Sequence, residues 1–466
     1  MAGKKIQAQL TPEEKLQQAL VPIAEQPYKV PANWCWTRLK FISTIISKGT
    51  TPKGGKSVYK NVGVNFLRVE NIGDDGVISH DNMMCISEEL HNSFLKRSIL
   101  KEKDVLVSIA GTLGKTAIVK NFDLPMNTNQ AISFIRLFHR FINEVYIKYV
   151  IDDPVINGLL LKKTKVTSIP NLTLEIIGDC PIPLPPLAEQ QRIVERIESF
   201  FAKLDEAKEN LQNVLDGFET RKAAILHKAF TGELTVNWRK QHGVTMDSWE
   251  TKSLKDCSIL ITKGSSPRWQ GFEYINDITQ TLFITSENVR EGFLDLTKRK
   301  YLDNKINEIQ KRSILKKGDV LVNIVGASIG RSAIFEFDCL ANTNQAVCIV
   351  RTNKLLYNRF LCFFLNSPRA LVYYDSNKVE TARANISLTD IANIQISIPP
   401  ISEQTEIVRI IDDLLAKEQH VKEIAEDALA KIDLIKKSIL DRAFRGELGT
   451  NNPADEPAVE LLKRVL

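Results

Sequence analysis

The 466-residue sequence is short of the features that mark a metal, redox or membrane protein. Its seven cysteines (Cys35, Cys85, Cys180, Cys257, Cys339, Cys348, Cys362) are scattered, with no Cys-x-x-Cys pair and no histidine at ligand spacing beside any of them. That speaks against a zinc site and against a disulfide frame. No stretch approaches the ~18 consecutive apolar residues of a membrane span. The opening Met1-Ala2-Gly3-Lys4-Lys5-Ile6-Gln7 lacks the apolar core of a secretory signal, so a reduced, cytoplasmic protein with no membrane partner is expected. Charge of one sign is not abundant either: 62 Lys and Arg against 56 Asp and Glu leave +6, which permits a polyanionic partner without requiring one. What is present is ordinary globular composition, 43% hydrophobic and 25% charged, over a length that suits about three structural units.

Catalytic patterns are missing too. Gly111-Thr112-Leu113-Gly114-Lys115-Thr116 resembles a phosphate-binding loop, but Ile109 stands where its first glycine belongs, so a β-turn carrying a basic residue is the better reading. The six histidines do not recur between the repeats described next. Asn452-Pro453-Ala454-Asp455 is similar in outline to an amino-methyltransferase tetrad but lacks the aromatic residue that would stack a flipped base. With no nucleophile motif and no glycine-rich cofactor fingerprint, no catalytic residue, cofactor site or metal site is expected in this chain.

The strongest signal is an internal repeat. Pro185-Pro186-Leu187-Ala188-Glu189-Gln190 returns as Pro399-Pro400-Ile401-Ser402-Glu403-Gln404, and Ala229-Phe230-Thr231-Gly232-Glu233-Leu234 returns as Ala443-Phe444-Arg445-Gly446-Glu447-Leu448. Both pairs are offset by 214 residues, and about 20 of the 50 positions they enclose are identical. Upstream, Trp34 matches Trp249, Lys48-Gly49-Thr50-Thr51-Pro52 matches Lys263-Gly264-Ser265-Ser266-Pro267, and Asn127-Thr128-Asn129-Gln130-Ala131 matches Asn342-Thr343-Asn344-Gln345-Ala346. Divergence concentrates after Pro52 and after Asn71. The chain is a tandem duplication of a globule followed by a long helix.

Each helix carries a heptad pattern: Ile193, Ile197, Phe200, Leu204, Ala207, Leu211, Val214, Phe218 and Ile225 in the first, interrupted by Arg221, and Ile407, Ile411, Leu414, Val421, Ala425, Ala428, Ile432, Ile435 and Ile439 in the second, interrupted by Glu418. About 40 residues at 1.5 Å each give rods of roughly 60 Å, expected to pair as an antiparallel coiled coil. The globules read as α+β, with strand pairs at 104–109 and 115–119, and again at 319–324 and 331–335.

Lysine and arginine cluster beside the divergent stretches. The candidate DNA-binding residues are Lys48, Thr50, Lys53, Lys56, Lys60, Arg68, Asn71 and Lys115 in the first copy, and Lys263, Ser265, Arg268, Trp269, Asn288, Arg290 and Arg331 in the second, where Lys298, Arg299 and Lys300 add charge. Lys and Arg neutralise phosphate, while Arg and Asn can also read base edges. Two related scaffolds with different loops, such as Lys53-Gly54-Gly55-Lys56 against Arg268-Trp269-Gln270-Gly271, suit the reading of two different short sequences.

Taken together, these motifs make the chain resemble the specificity subunit of type I restriction-modification systems. The resemblance spans globule, Pro-Pro-Leu-Ala-Glu-Gln helix, globule and Pro-Pro-Ile-Ser-Glu-Gln helix, with Ala-Phe-x-Gly-Glu-Leu closing each helix. It implies an N-terminal arm (1–30), a first target-recognition domain (31–184), a central spacer helix and linker (185–245), a second recognition domain (246–398), a C-terminal spacer helix (399–448) and a tail (449–466). It further implies a non-catalytic subunit that reads a bipartite, asymmetric site on double-stranded DNA, one half-site per domain. The implied partners are two methyltransferase subunits and restriction subunits, which would carry S-adenosylmethionine, ATP and Mg2+. Glu189, Gln190, Phe230, Glu233, Glu403, Gln404, Phe444 and Glu447 are the expected docking residues for the methyltransferases. With reading heads about 35–55 Å apart along a rod of roughly 60 Å, at ~3.4 Å per base pair the half-site centres should lie roughly 10–16 base pairs apart. The alternative is a coiled-coil adaptor whose two heads bind protein, which predicts no salt-dependent DNA binding.

Overall fold

A computed structural model of the chain describes residues 11–163, 171–379 and 384–466, with all of their side chains except that of Lys56. It separates into two units. One takes the chain up to Asn210 together with Ala428–Leu466, the other Leu211–Asp427.

In the first unit the strands are β1 (Cys35–Arg38), β2 (Ser43–Lys48), β3 (Val64–Leu67), β4 (Met84–Ile86), β5 (Val105–Ser108), β6 (Thr116–Ile118), β7 (Met126–Thr128), β8 (Ile132–Leu137) and β9 (Pro181–Leu184). β1 pairs antiparallel with β9, β2-β8-β5-β6 is antiparallel throughout, and β4-β3-β7 joins an antiparallel pair to a parallel one. The second unit has β10 (Glu250–Ser253), β11 (Ser258–Lys263), β12 (Thr281–Ile284), β13 (Tyr301–Leu302), β14 (Val320–Asn323), β15 (Ser332–Ile334), β16 (Ala341–Thr343), β17 (Val347–Thr352) and β18 (Gln395–Ile398). Its sheets, β10-β18, β11-β17-β14-β15 and β13-β12-β16, repeat the same orders. The α+β duplication expected from the repeat is therefore present strand for strand.

The central strands explain themselves. Val105-Leu106-Val107 and Val320-Leu321-Val322 are apolar without alternation because both faces are covered, and all six are buried. Each is entered by a buried aspartate that clamps the neighbouring strand: Arg136 donates through Nε and Nη2 to Asp104 at 2.8 and 2.7 Å, and Arg351 does the same to Asp319 at 2.7 and 2.8 Å. Asp104 and Asp319 also accept from the backbone N of Lys101 and Lys316. A forked guanidinium–carboxylate pair with its remaining lone pair satisfied is the geometry in which a buried charge is tolerated.

The first spacer helix is two segments, Leu187–Asp216 and Phe218–Phe230, whereas the second runs unbroken over Ile401–Phe444. The interruption is at Gly217. Arg221 turns back and donates to the carbonyl of Val214 at 2.9 Å, a side chain entering the helix hydrogen-bond ladder. The helices are antiparallel within each unit, since partner numbers fall on one as they rise on the other. In the first unit Lys436 meets Asp205 at 2.5 Å and Arg192 donates to Thr450 O at 3.0 Å; in the second Arg221 meets Glu418 at 2.7 Å and Arg239 meets Glu403 at 2.6 Å. Thus Arg221 and Glu418, the two residues that interrupt the heptads, are each other's partner. Two expected seam positions, Val421 and Ile435, instead face outward at 45% exposure each. Ala425 and Ile432 keep their expected places and are buried, while Leu440 is buried in place of Ile439 and Leu415 is half-buried, as the four-three spacing drifts against a 3.6-residue turn over a helix this long.

Each helix ends in the core of the other copy's globule. Phe444 packs edge-on to Tyr146 in the first unit (centroids 5.5 Å apart), and Phe230 packs edge-on to Phe360 and Phe364 in the second (5.2 Å each). The arm forms the helix Pro12–Ala19 with the reciprocal Thr11–Glu14 capping box, and the tail forms Ala458–Val465, whose Ala458, Leu461 and Leu462 are buried in the first unit's core.

Candidate nucleic-acid interface

In both copies the divergent loop leaves from the same mount. β2 ends at Lys48 and β11 at Lys263, each followed by a glycine pressed against the Asn-Thr-Asn-Gln turn. A Cβ on Gly49 would fall within the carbonyls of Thr128 and Asn129, and one on Gly264 within that of Thr343. Only glycine permits that approach. The turn is itself fixed: Asn129 Oδ1 accepts from Ala131 N and Asn344 Oδ1 from Ala346 N, both at 3.0 Å. Buried Asn127 donates to Leu95 O at 3.3 Å, and buried Asn342 to Gln310 O at 3.1 Å.

On this constant mount the first copy carries exposed Lys48, Lys53 and Lys60, with Thr50 half-buried and held through its backbone N to Thr128 O at 3.0 Å. The second carries exposed Lys263, Arg268 and Trp269, with Ser265 half-buried. None of these five cations has an ion-pair partner among the described residues. The Lys56 side chain lies outside them. Other candidates are engaged. Arg68 pairs with Glu70, Arg290 with Asp295 at 3.5 Å, and Lys300 with Glu287 at 2.7 Å. Lys115 pairs with Asp74 at 2.7 Å, holding that carboxyl below its usual range, and also donates to Ile72 O at 3.2 Å. Its loop is the β5–β6 turn, closed by Lys115 N to Ser108 Oγ at 2.8 Å, and not a phosphate cradle. Arg331 is half-buried in the matching turn, beside a cavity of about 490 Å3 lined with Gly326, Ser328, Asn344 and Gln345.

Two candidates require correction. Asn71 and Asn288 are each 4% exposed and work inside the fold. Asn71 Oδ1 accepts from Arg68 N at 3.0 Å; Asn288 Oδ1 accepts from Thr285 N at 2.9 Å, and its Nδ2 donates to Asp295 O at 2.9 Å. They recur because both copies need the same turn, and a side chain spent on it is not presented to a base edge.

The expected docking set is corrected more extensively. Glu189, Gln190, Glu403, Gln404 and Phe444 are fully buried and Phe230 nearly so; only Glu233 and Glu447 are exposed. Gln190 accepts from Asn143 N at 2.9 Å and donates to Pro185 O at 3.1 Å; Gln404 accepts from Tyr357 N at 2.7 Å and donates to Leu355 O and Pro399 O at 2.8 Å each. Trp34 Nε1 donates to Glu189 at 2.7 Å, and Trp249 Nε1 to Glu403 at 3.1 Å. Each carboxylate also binds the segment that follows the other copy's helix. Asn451 (2.9 Å) and Thr450 (3.4 Å) reach Glu189, while Thr235 and Arg239 (2.6 Å each) reach Glu403. Burial pushes the Glu189 carboxyl up, against the opposing effect of those donors. The motif is an internal latch, signalled by a tryptophan and a glutamate recurring together.

Two constant platforms with variable cationic loops, each carried beside its own antiparallel helix pair, define a duplicated recognition protein. The family model described as the type I restriction modification DNA specificity domain matches residues 31–216 and again 246–426, so the chain belongs to that family. It is 28% identical to the specificity subunit of the type I restriction enzyme EcoBI of Escherichia coli, over 91% of this chain and 88% of that one. It is 25% identical to the EcoKI specificity subunit of Escherichia coli strain K12, over 92% of each. Its fold resembles the HsdS subunit from Thermoanaerobacter tengcongensis with a TM-score of 0.65 at 19% identity, over 91% of this chain and all of that one. No helix among the described residues is long and apolar enough to cross a membrane.

Proposed function

We propose that this protein is the DNA-specificity subunit of a type I restriction-modification complex, each recognition domain reading one half of a bipartite site on double-stranded DNA. The observation that carries this is the contrast inside each platform: the Asn-Thr-Asn-Gln turn and its glycine are the same in both copies, while the loop they carry differs and presents Lys and Arg without ion-pair partners among the described residues. Constant backbone geometry fixes where a loop meets the duplex, and the variable loop sets which bases it meets. Lys48, Thr50, Lys53, Lys60, Lys263, Ser265, Arg268 and Trp269 are the residues this reading favours for DNA contact, with half-buried Arg331 beside its cavity and with Arg68, Lys115 and Arg290 available after rearrangement of their present ion pairs.

The chain itself performs no reaction in this reading. Two methyltransferase subunits with S-adenosylmethionine would methylate adenine, and restriction subunits would supply ATP- and Mg2+-dependent cleavage, in the cytoplasm. With Glu189, Gln190, Glu403 and Gln404 internal, docking is left to the outer helix faces and to exposed Glu233 and Glu447. Charge reversal at both glutamates is expected to reduce co-purification of the methyltransferase.

The test is single-molecule sequencing of adenine methylation in the host genome with and without this gene. Loss of one bipartite methylated motif on deletion supports the proposal and delivers both half-sites and the gap. An unchanged methylome, followed by purified chain that binds DNA without salt dependence or sequence preference, would favour the protein-binding adaptor.

A further inference from the structure

We infer that Trp269 is a wedge that enters the base stack of the half-site read by the second recognition domain, so that, away from the methylated adenines, this half of the site is unstacked on binding and the other is not. The inference rests on the function proposed above. Of the five tryptophans, Trp34 and Trp36 are buried and Trp238 and Trp249 half-buried, whereas Trp269 is 80% exposed. An indole left in water at a loop tip is typical of a surface that is covered in the working complex. The neighbours identify what covers it. Arg268 adjoins it and Lys263 opens the loop, both exposed and without an ion-pair partner among the described residues. A flat apolar face bordered by cations complements a base step bordered by phosphates.

The mount is stiff, as a wedge requires. Ser265 N donates to Gln310 Oε1 at 3.0 Å, and Gln310 Nε2 donates back to Ser265 O at 3.3 Å and to Gln270 Oε1 at 3.1 Å. Pro267 is buried beneath the turn, its carbonyl accepts from Gln270 N at 2.9 Å and Phe272 N at 3.0 Å, and Gly271 at φ +77° lets the chain double back. In the first copy the place of Gln310 is taken by Leu95 and the loop reads Lys53-Gly54-Gly55-Lys56, with neither bolt nor aromatic ring. The distortion is therefore one-sided. Pyrimidine–purine steps unstack most readily, so the second half-site acquires a preference at a step where no side chain needs to hydrogen-bond a base.

The experiment uses the full chain in complex with its methyltransferase subunits and duplexes carrying the methylome-derived motif, with 2-aminopurine in one half or the other, away from the methylated adenine. The half belonging to the second domain is the one that changes when residues 246–398 are exchanged for those of a relative. Fluorescence is expected to rise on binding only with the probe in that half. Trp269→Ala should abolish the rise and weaken binding roughly 5- to 150-fold, Trp269→Phe should keep most of it, and Gln310→Leu, which leaves the ring but loosens its mount, should reduce it. A rise in both halves, in neither, or one that survives Trp269→Ala overturns the wedge while leaving the proposed function intact. If the wild-type complex does not prefer the motif at all, the proposed function falls and the wedge with it.

Discussion

Glu189 and Glu403 stand at equivalent places in two copies of one unit, and their surroundings differ in kind. Glu403 is neutralised by the guanidinium of Arg239, itself only 6% exposed, with Thr235 and Trp249 completing its shell. Among the described residues the donors on the Glu189 carboxylate are neutral, Trp34, Asn451 and Thr450, with the Arg192 charge acting without a direct bond. The same contrast recurs in the N-caps beneath the helices. Asp153 caps Pro154–Lys162 in the first unit through Val155 N and Ile156 N, whereas the N-cap position of Pro368–Asn377 in the second holds uncharged Ser367, whose side chain makes no capping bond. The first unit thus buries acids with cations nearby, Arg192 and Arg445, but with no direct ion pair among the described residues, at places where the second has either a paired acid or none. Duplication preserved the geometry of the latch and left its electrostatics free to diverge.

That contrast can be broken most severely at Glu403. Glu403→Gln leaves Arg239 charged and buried with no carboxylate, and is expected to destabilise the second unit by about 3–5 kcal/mol, read as the drop of its calorimetric transition. Next is Asp153, whose carboxyl burial pushes up to about 6, Asp441 adding to the rise while backbone donors from Ile156 and Val155 and nearby Arg445 oppose it. The folded state holds this proton more tightly than the unfolded chain, so the first unit should lose stability as pH rises from about 4 to about 6 and hold level above. Asp153→Asn is expected to raise that unit's stability by ~2 kcal/mol at pH 8, with no gain near pH 4; denaturant titrations at the two pH values measure it. Glu189→Gln keeps acceptors for Trp34 and Asn451 and removes a charge that burial disfavours, so a change within about 1 kcal/mol is expected, in clear contrast with Glu403→Gln. Smallest is the effect of Lys53→Ala or Lys263→Ala, each expected to lower the salt slope of DNA binding by about 1 without altering the methylated motif.

The duplication, the strand pairs and the helical spacers are legible in the sequence because they rest on periodicity and on recurrence at fixed offset. The platform is half legible. Lys48-Gly49 and Asn129-Gln130 stand out as repeated, but that the glycine is pressed onto the turn depends on β2 and β8 being neighbours, which no local pattern states. Recurrence also misleads where it records internal bonding. Asn71 and Asn288 recur as turn-formers, and the Glu-Gln pairs recur because Asn143 N and Tyr357 N each need an acceptor. Gln310 and Arg239 carry no repeat signal, since neither has an equivalent in the first copy, so the loop mount and the paired latch of the second unit are visible only in three dimensions.

The partition of the chain between its units also bears on synthesis. Leu211–Asp427 is one unbroken stretch, complete once Asp427 has left the ribosome. The first unit's core still lacks Phe444, Ala458, Leu461 and Leu462 at that moment. Phe444 emerges roughly 230 residues after Asn210, on the order of 10–50 s at the usual 5–20 residues per second. The globule translated first is therefore the last to close, and its apolar surface must be shielded in the interval.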